Sequence, residues 1–243
     1  MNIERVISPG GIEAWLVHSD ANPLIAMRFA FRGGASQDPP GKEGLAYFIS
    51  ATMDEGAGEL DAVAFQEREQ ALAMRMDFDA NRDVMLGNVQ TLAANKDQVF
   101  DLVRLALTKP RFDETAVERV RAQILAGLKF DENDPSTVAS LAWDRLAFQN
   151  HPYGRPIKGT KSSIAAITPD DLRDYVARVF ARDKLVISVV GDIDAGTTDL
   201  AKLLFIEFGL VYANDWFVLP CDIPVGSLAR VRGCRIEPAL AAA

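Results

Sequence analysis

Strand-like segments come in groups in this chain, with groups of helical segments between them, and that grouping constrains the fold more than any other feature. Glu13–His18 and Leu24–Arg32 read as strands separated by the turn Asp20-Ala21-Asn22-Pro23. Ser8-Pro9-Gly10-Gly11 marks an earlier hairpin turn after a short first strand. Arg75–Ala80 and Val84–Leu92 form a second pair turned at Asn81-Arg82-Asp83, and Lys184–Val190 is an apolar strand ended by Gly191. Strands grouped in this way predict an α+β fold rather than a regular βαβ alternation.

The helical segments are equally distinct. After Gly33-Gly34 and Asp38-Pro39-Pro40-Gly41, a helix is expected over Gly44–Met53, with Leu45, Phe48, Ile49 and Thr52 making one buried stripe. Tyr47, Ser50 and Ala51 fall on another face, Tyr47 and Ala51 one turn apart. Further helices are predicted over Ala62–Ala73, Lys96–Thr108, Asp113–Glu132 and Ser136–Leu146. Their inward residues are Val99, Phe100, Val103 and Leu107 in the second of these, then Val117, Val120, Ile124 and Leu128, then Val138, Leu141, Ala142 and Leu146. Pro110 enforces a stop. Thr168-Pro169-Asp170-Asp171 is a helix start: a threonine cap, a proline at the first position and acids at the positive end of the dipole. That helix is expected to run to Phe180.

Composition narrows the function. The apolar fraction of 49% supports a substantial core, and the net charge of −8 argues against nucleic acid or an anionic membrane as partner. No apolar run reaches the roughly 20 residues needed to span a bilayer. No signal peptide is recognisable after Met1, so the sequence as written predicts a cytoplasmic protein, or a periplasmic one if a leader has been removed. Cys221 and Cys234 do not define a disulfide framework or a metal site, and reduced thiols are expected. There is no Walker loop, no Gly-x-Gly-x-x-Gly and no Gly-x-Ser-x-Gly. The 34 acids leave a carboxylate-only magnesium or calcium site open, although no EF-hand spacing is present. Asp54-Glu55 with Glu59 and Asp61 reads as a solvated acidic face, and Arg75 and Arg82 as surface arginines flanking a strand. His18 and His151 read as structural or surface histidines.

Several segments, in order, resemble the pitrilysin (insulinase-like) metallopeptidases. They are Phe31-Arg32-Gly33-Gly34-Ala35-Ser36, Gly44-Leu45-Ala46, His151-Pro152-Tyr153-Gly154-Arg155-Pro156 with Gly159-Thr160, and Val189-Val190-Gly191-Asp192-Ile193-Asp194. The resemblance covers residues 3–204 and implies a mixed, largely antiparallel sheet with helices packed mainly on one face. In that family a His-x-x-Glu-His helix binds zinc. The resemblance places Tyr47 and Ala51 at the two histidine positions and Ser50 at the glutamate. Counting back from Asn133-Asp134-Pro135 places Gly127, with Ala126 beside it, at the third ligand. Catalytic zinc takes three protein ligands and an open position for water, and a nearby carboxylate takes the water's proton. None of these side chains supplies either role, so no catalytic residue, bound metal or cofactor is expected.

What the resemblance implies is a non-catalytic subunit that pairs with a zinc-bearing homologue to form a peptide-handling chamber. Arg75–Ala80 corresponds to the strand along which substrate adds in the family. A stand-alone binding or assembly module, resembling the family's core subunits in respiratory complexes, is the alternative; an active metalloendopeptidase with a relocated site is the least favoured. Family subunits contain two similar domains, whereas residues 1–204 match one. Residues 205–243, with Phe208-Gly209-Leu210-Val211-Tyr212 at their start, are expected to be a divergent tail, whether an extension, a truncation or an altered reading frame. An uncovered apolar surface, and hence association with a homologous subunit or a second copy, is expected.

Overall fold

A computed structural model describes residues 3–7 and 12–193. Six strands form one sheet: β1 (Glu4–Ile7), β2 (Glu13–His18), β3 (Leu24–Arg32), β4 (Arg75–Ala80), β5 (Val84–Leu92) and β6 (Leu185–Gly191). Their order across the sheet is β1-β2-β6-β3-β5-β4. Among the described strands only β2 and β6 run parallel; every other neighbouring pair is antiparallel. The α+β architecture expected from the grouping is therefore the one found.

Burial alternates along the strands, so one face of the sheet carries the core. On β3, Ile25, Met27, Phe29 and Phe31 are buried while Leu24, Ala26, Arg28 and Arg32 are exposed. The core face continues through Met85 and Val89 on β5 and Ile187 and Val189 on β6. Phe29 lies directly opposite Gly87, where an added Cβ would come within 2.1 Å of the Phe29 ring. A side chain at position 87 would displace that ring from the centre of the sheet. At the strand's end, Phe31 stacks on Phe180 with ring centroids 4.5 Å apart.

Among the described residues, seven α-helices connect the strands: α1 (Leu45–Ser50), α2 (Ala62–Ala71), α3 (Lys96–Thr108), α4 (Glu114–Asp131), α5 (Pro135–Phe148), α6 (Lys161–Ala166) and α7 (Pro169–Val179). α1 is shorter than the Gly44–Met53 expected, with turns from Ala51 to Asp54. Its stripe is as expected: Leu45, Phe48, Ile49 and Thr52 are all buried. α2 stops at Ala71, before a positive φ of 47° at Ala73. α6 has no counterpart in the sequence-based expectations, because six residues carry too little periodicity to register. α7 begins with the expected Thr168, whose side chain and that of Asp171 cap each other's backbone.

The expectation for α5 is overturned. Val138, Ala142 and Leu146 are exposed, and only Leu141 of the four residues expected inward is half-buried. The helix is held instead by polar contacts: Asp134 caps its first turn through the Thr137 N–H at 2.8 Å, and Asp144 pairs with Arg82 from the β4–β5 turn. The first hairpin turn at residues 8–11, both cysteines and the tail after Leu204 lie outside the described residues. No helix among the described residues is long and apolar enough to cross a membrane.

Candidate functional site

α1 is fixed at its start by groups from distant parts of the chain. The Asp38 carboxylate accepts from the Gly44 N–H at 2.8 Å and the Ala46 N–H at 3.0 Å. Burial pushes Asp38 up to about 7, against the pull of the Ala46, Gly44 and Leu45 N–H groups. Gly44 takes φ 91°, and an added Cβ would stand 2.7 Å from the Lys158 carbonyl oxygen and 2.8 Å from Gly159 Cα. Two backbones thus meet where only glycine fits. Ser163 Oγ donates to the Glu43 carbonyl at 2.7 Å, and Lys42 pairs with Asp171 at 2.6 Å. These contacts join Gly44-Leu45-Ala46 to Gly159-Thr160 as the two sides of one clamp.

The clamp presents Tyr47, Ser50 and Ala51 beside α4. Tyr47 and Ala51 are half-buried against the core, one turn apart as expected. Ser50 is buried, and its Oγ donates back to the Tyr47 carbonyl at 2.8 Å, so its hydroxyl is occupied within the helix. α4 crosses nearby: the Arg121 guanidinium lies 5.2 Å from the Phe48 ring centroid. Gly127 is exposed on α4, and a Cβ built there meets nothing within 4 Å. One turn further along α4, Asp131 accepts from Lys158 at 2.8 Å; that hydrogen bond chiefly raises the Lys158 pKa, with Tyr47 adding to the rise.

The donor set at these positions is therefore a phenol, a committed hydroxyl, a methyl and a hydrogen. It does not fit the zinc that the fold family implies, which needs imidazole and carboxylate ligands. Among the described residues, no group of three or more His, Cys, Asp or Glu comes together in a way that could hold a metal ion. His18 Nδ1 is 3.1 Å from the Ile193 carbonyl at the end of β6. His151 Nδ1 accepts from the Tyr153 N–H at 3.2 Å, which stiffens the turn after α5.

Beyond Ala51 the acids do not form the expected solvated face. Glu59 and Asp61 are exposed, and Asp61 caps α2 through the Ala64 N–H at 2.9 Å. Glu55 is buried, because Arg119 on α4 reaches across to pair with it. Asp54 is pushed up by burial and by the Glu55 charge. Glu69 on α2, which no sequence signal marks, is pushed up to about 7 by burial and by Asp54. Its Oε1 is buried and has no hydrogen-bond partner. Only the tertiary fold brings Asp54, Glu69 and Arg119 together. Arg82 also departs from expectation: it is half-buried, paired with Asp144, and lies 5.7 Å from the Tyr153 ring centroid.

β4 ends the sheet, pairing with β5 on one side only among the described strands. Arg75, Asp77 and Asp79 on it are exposed. Asp77 accepts from Asn88 at 2.7 Å, and Asn88 in turn accepts from Arg28 at 2.7 Å, a polar chain across three strands.

Comparison with known proteins agrees with this geometry. The family model "Insulinase (Peptidase family M16)" matches residues 15–161. A Helicobacter pylori protein called "Non-peptidase homolog YmxG" is 32% identical over 204 residues, 82% of this chain and 47% of that one. The probable mitochondrial-processing peptidase subunit beta of Arabidopsis thaliana is 24% identical over 148 residues, 61% of this chain and 28% of its own. Among solved structures, the peptidase M16 inactive domain from Pseudomonas fluorescens superposes with a TM-score of 0.81 at 25% identity, covering 86% of this chain and 51% of that one. The chain spans about half the length of these bacterial relatives. With its fold, its clamped helix and these matches in agreement, the chain belongs to the insulinase family, Peptidase family M16.

Proposed function

We propose that this chain is a proteolytically inactive family member, a non-catalytic half that pairs with a zinc-bearing homologous subunit to enclose peptides. The observation that carries the reading is chemical. The helix start is held by Asp38, Gly44 and Gly159, and the family resemblance assigns Tyr47, Ser50, Ala51 and Gly127 to the positions of the family's ligands and base. Retention of the scaffold without the ligands fits a role in assembly rather than hydrolysis. The names of two relatives, a non-peptidase homologue and an inactive domain, support the loss of chemistry. A third, named as a subunit, supports pairing. The unpaired edge of β4 offers main-chain donors and acceptors to an extended peptide, a mode that tolerates varied sequence.

The test is zinc binding and peptide cleavage by the full chain alone and after co-expression with a zinc-bearing homologue. The expected result is no stoichiometric zinc and no cleavage alone, with a stable complex and cleavage by the pair. Stoichiometric zinc in the lone chain, or cleavage that a chelator abolishes, would overturn the reading. A variant carrying Tyr47→His, Ser50→Glu, Ala51→His and Gly127→Glu should gain zinc, because space for the added glutamate is open.

A further inference from the structure

The face of the sheet that does not carry the core is apolar with one cation at its centre. Three rows of side chains cross it. Val17, Val190 and Ala26 lie side by side in one row, and Val186, Ala30 and Leu86 in another. Between them runs the row of Trp15, Ser188, Arg28 and Asn88. Trp15 is 47% exposed, and Val190 is 45% exposed although β6 is paired on both sides. A sheet this apolar on its second face is normally covered by another layer.

Arg28 indicates what the cover carries. At the end of the same row Arg5 is matched by Glu13 at 2.8 Å. Arg28 has no such acid. Among the described residues its guanidinium donates only to Asn88 Oδ1, through Nε at 2.7 Å, and its two terminal nitrogens are left open to a carboxylate. The face therefore fits an apolar surface with an acid inside it rather than at its rim.

Residues 199–208 have that pattern. They lie outside the described residues, and their sequence predicts a helix: Thr198 at the cap, Asp199 in the first turn and Gly209 just past the end. At about 100° per residue, Leu200, Leu203, Leu204 and Phe208 make one apolar arc, and Glu207 falls inside it, between Leu203 and Leu200. A carboxylate within a buried stripe needs a cation opposite. The spacings agree as well. Ser188, beside Arg28, stands about 10 Å back from the end of β6 at Gly191. Glu207 stands about 12 Å along a helix from Asp199. Residues 194–198 extend up to about 17 Å, enough for the roughly 10 Å between stacked layers.

We propose that residues 199–208 fold back as a helix over this face of the sheet in the same chain, with Glu207 paired to Arg28 and the leucines laid on the flanking valine and alanine rows. Tethered so close to β6, the segment meets the face at an effective concentration on the order of millimolar, ahead of any free partner. This docking does not depend on the loss of the metal ligands.

The test is disulfide cross-linking in the full chain with Cys221→Ser and Cys234→Ser. Val190→Cys with Leu204→Cys, and Ala26→Cys with Leu203→Cys, are the two pairs to oxidise. At least one should close within a single molecule, running as a monomer on a non-reducing gel, at a rate independent of protein concentration. Val63→Cys on α2 with Leu204→Cys should not close. Arg28→Glu and Glu207→Arg should each slow the cross-link about fivefold, and the two together should restore it. Arg28 is exposed, so reversing its charge leaves the core and the circular dichroism unchanged. Failure of both pairs to close would overturn the proposal. So would a cross-link formed only between molecules, which assigns the face to a second copy, and so would a rate indifferent to both charge reversals.

Discussion

α1 and α5 are opposites. α1 is six residues long, yet nearly every group at its start is engaged: its N–H groups by Asp38, its entry by the close approach of Gly44 and Gly159, its apolar side by the core. α5 is 14 residues long and meets the domain through half-buried Leu141, the Asp144–Arg82 ion pair and the Phe148 ring, whose centroid lies 5.5 Å from that of Tyr153. The difference teaches where each helix's partners lie. α1 is completed within the chain, with Tyr47, Ser50 and Ala51 on the side that faces away from its buried stripe. α5 keeps its apolar residues Val138, Trp143 and Leu146 exposed.

The comparison can be broken by substitution. The largest loss is expected for Phe48→Ala, which empties a fully buried position at the heart of α1 and should cost about 4 kcal/mol in denaturant unfolding. A cost below about 1 kcal/mol would mean that α1 is not integral to the core. Gly44→Ala should cost about 2 kcal/mol, since a left-handed backbone and a backbone clash both oppose the added carbon. On α5, Asp144→Ala should cost about 1 kcal/mol, the scale of a partly exposed ion pair, and should speed amide exchange along that helix first. Trp143→Ala should change stability by less than about 0.5 kcal/mol, because the side chain is 69% exposed.

A pH series sharpens the contrast, since the groups with strongly raised carboxyl pKa values lie near α1. Glu69 moves from 4.5 up to about 7 on folding. Between those values the native state holds a proton that the unfolded chain has released. Its contribution is therefore complete below about pH 4.5 and is lost as pH rises through about 7. Glu69→Gln should flatten the decline in unfolding midpoint over that window. An unchanged slope would show that Glu69 is not desolvated.

Elements with long periodic signals were legible from residues alone. Lys96–Thr108 matches α3 at both ends, and β2–β5 match their expected ranges, because alternating burial and strong turn residues mark them locally. The helix at Thr168 was legible for the same reason: its cap lies within four consecutive residues. α5 misled because an apolar stripe signals burial without saying against what. An exposed apolar face and a face meant for the core have the same periodicity. Arg82, Glu55 and Glu69 were misread or passed over because their environments come from Asp144, Arg119 and Asp54, each on a different element.

By itself, then, the sequence determined the fold class, the extents of β2–β5 and the side chains that stand at Tyr47, Ser50, Ala51 and Gly127, since these depend on local pattern and side-chain identity. Only the tertiary structure decided which apolar faces are covered and which acids lose their water. Those outcomes depend on what distant segments bring to the same place. Helix α5 shows why: its residues carry no mark that separates a buried stripe from an exposed one, and only the fold reveals that Val138, Trp143 and Leu146 stay exposed.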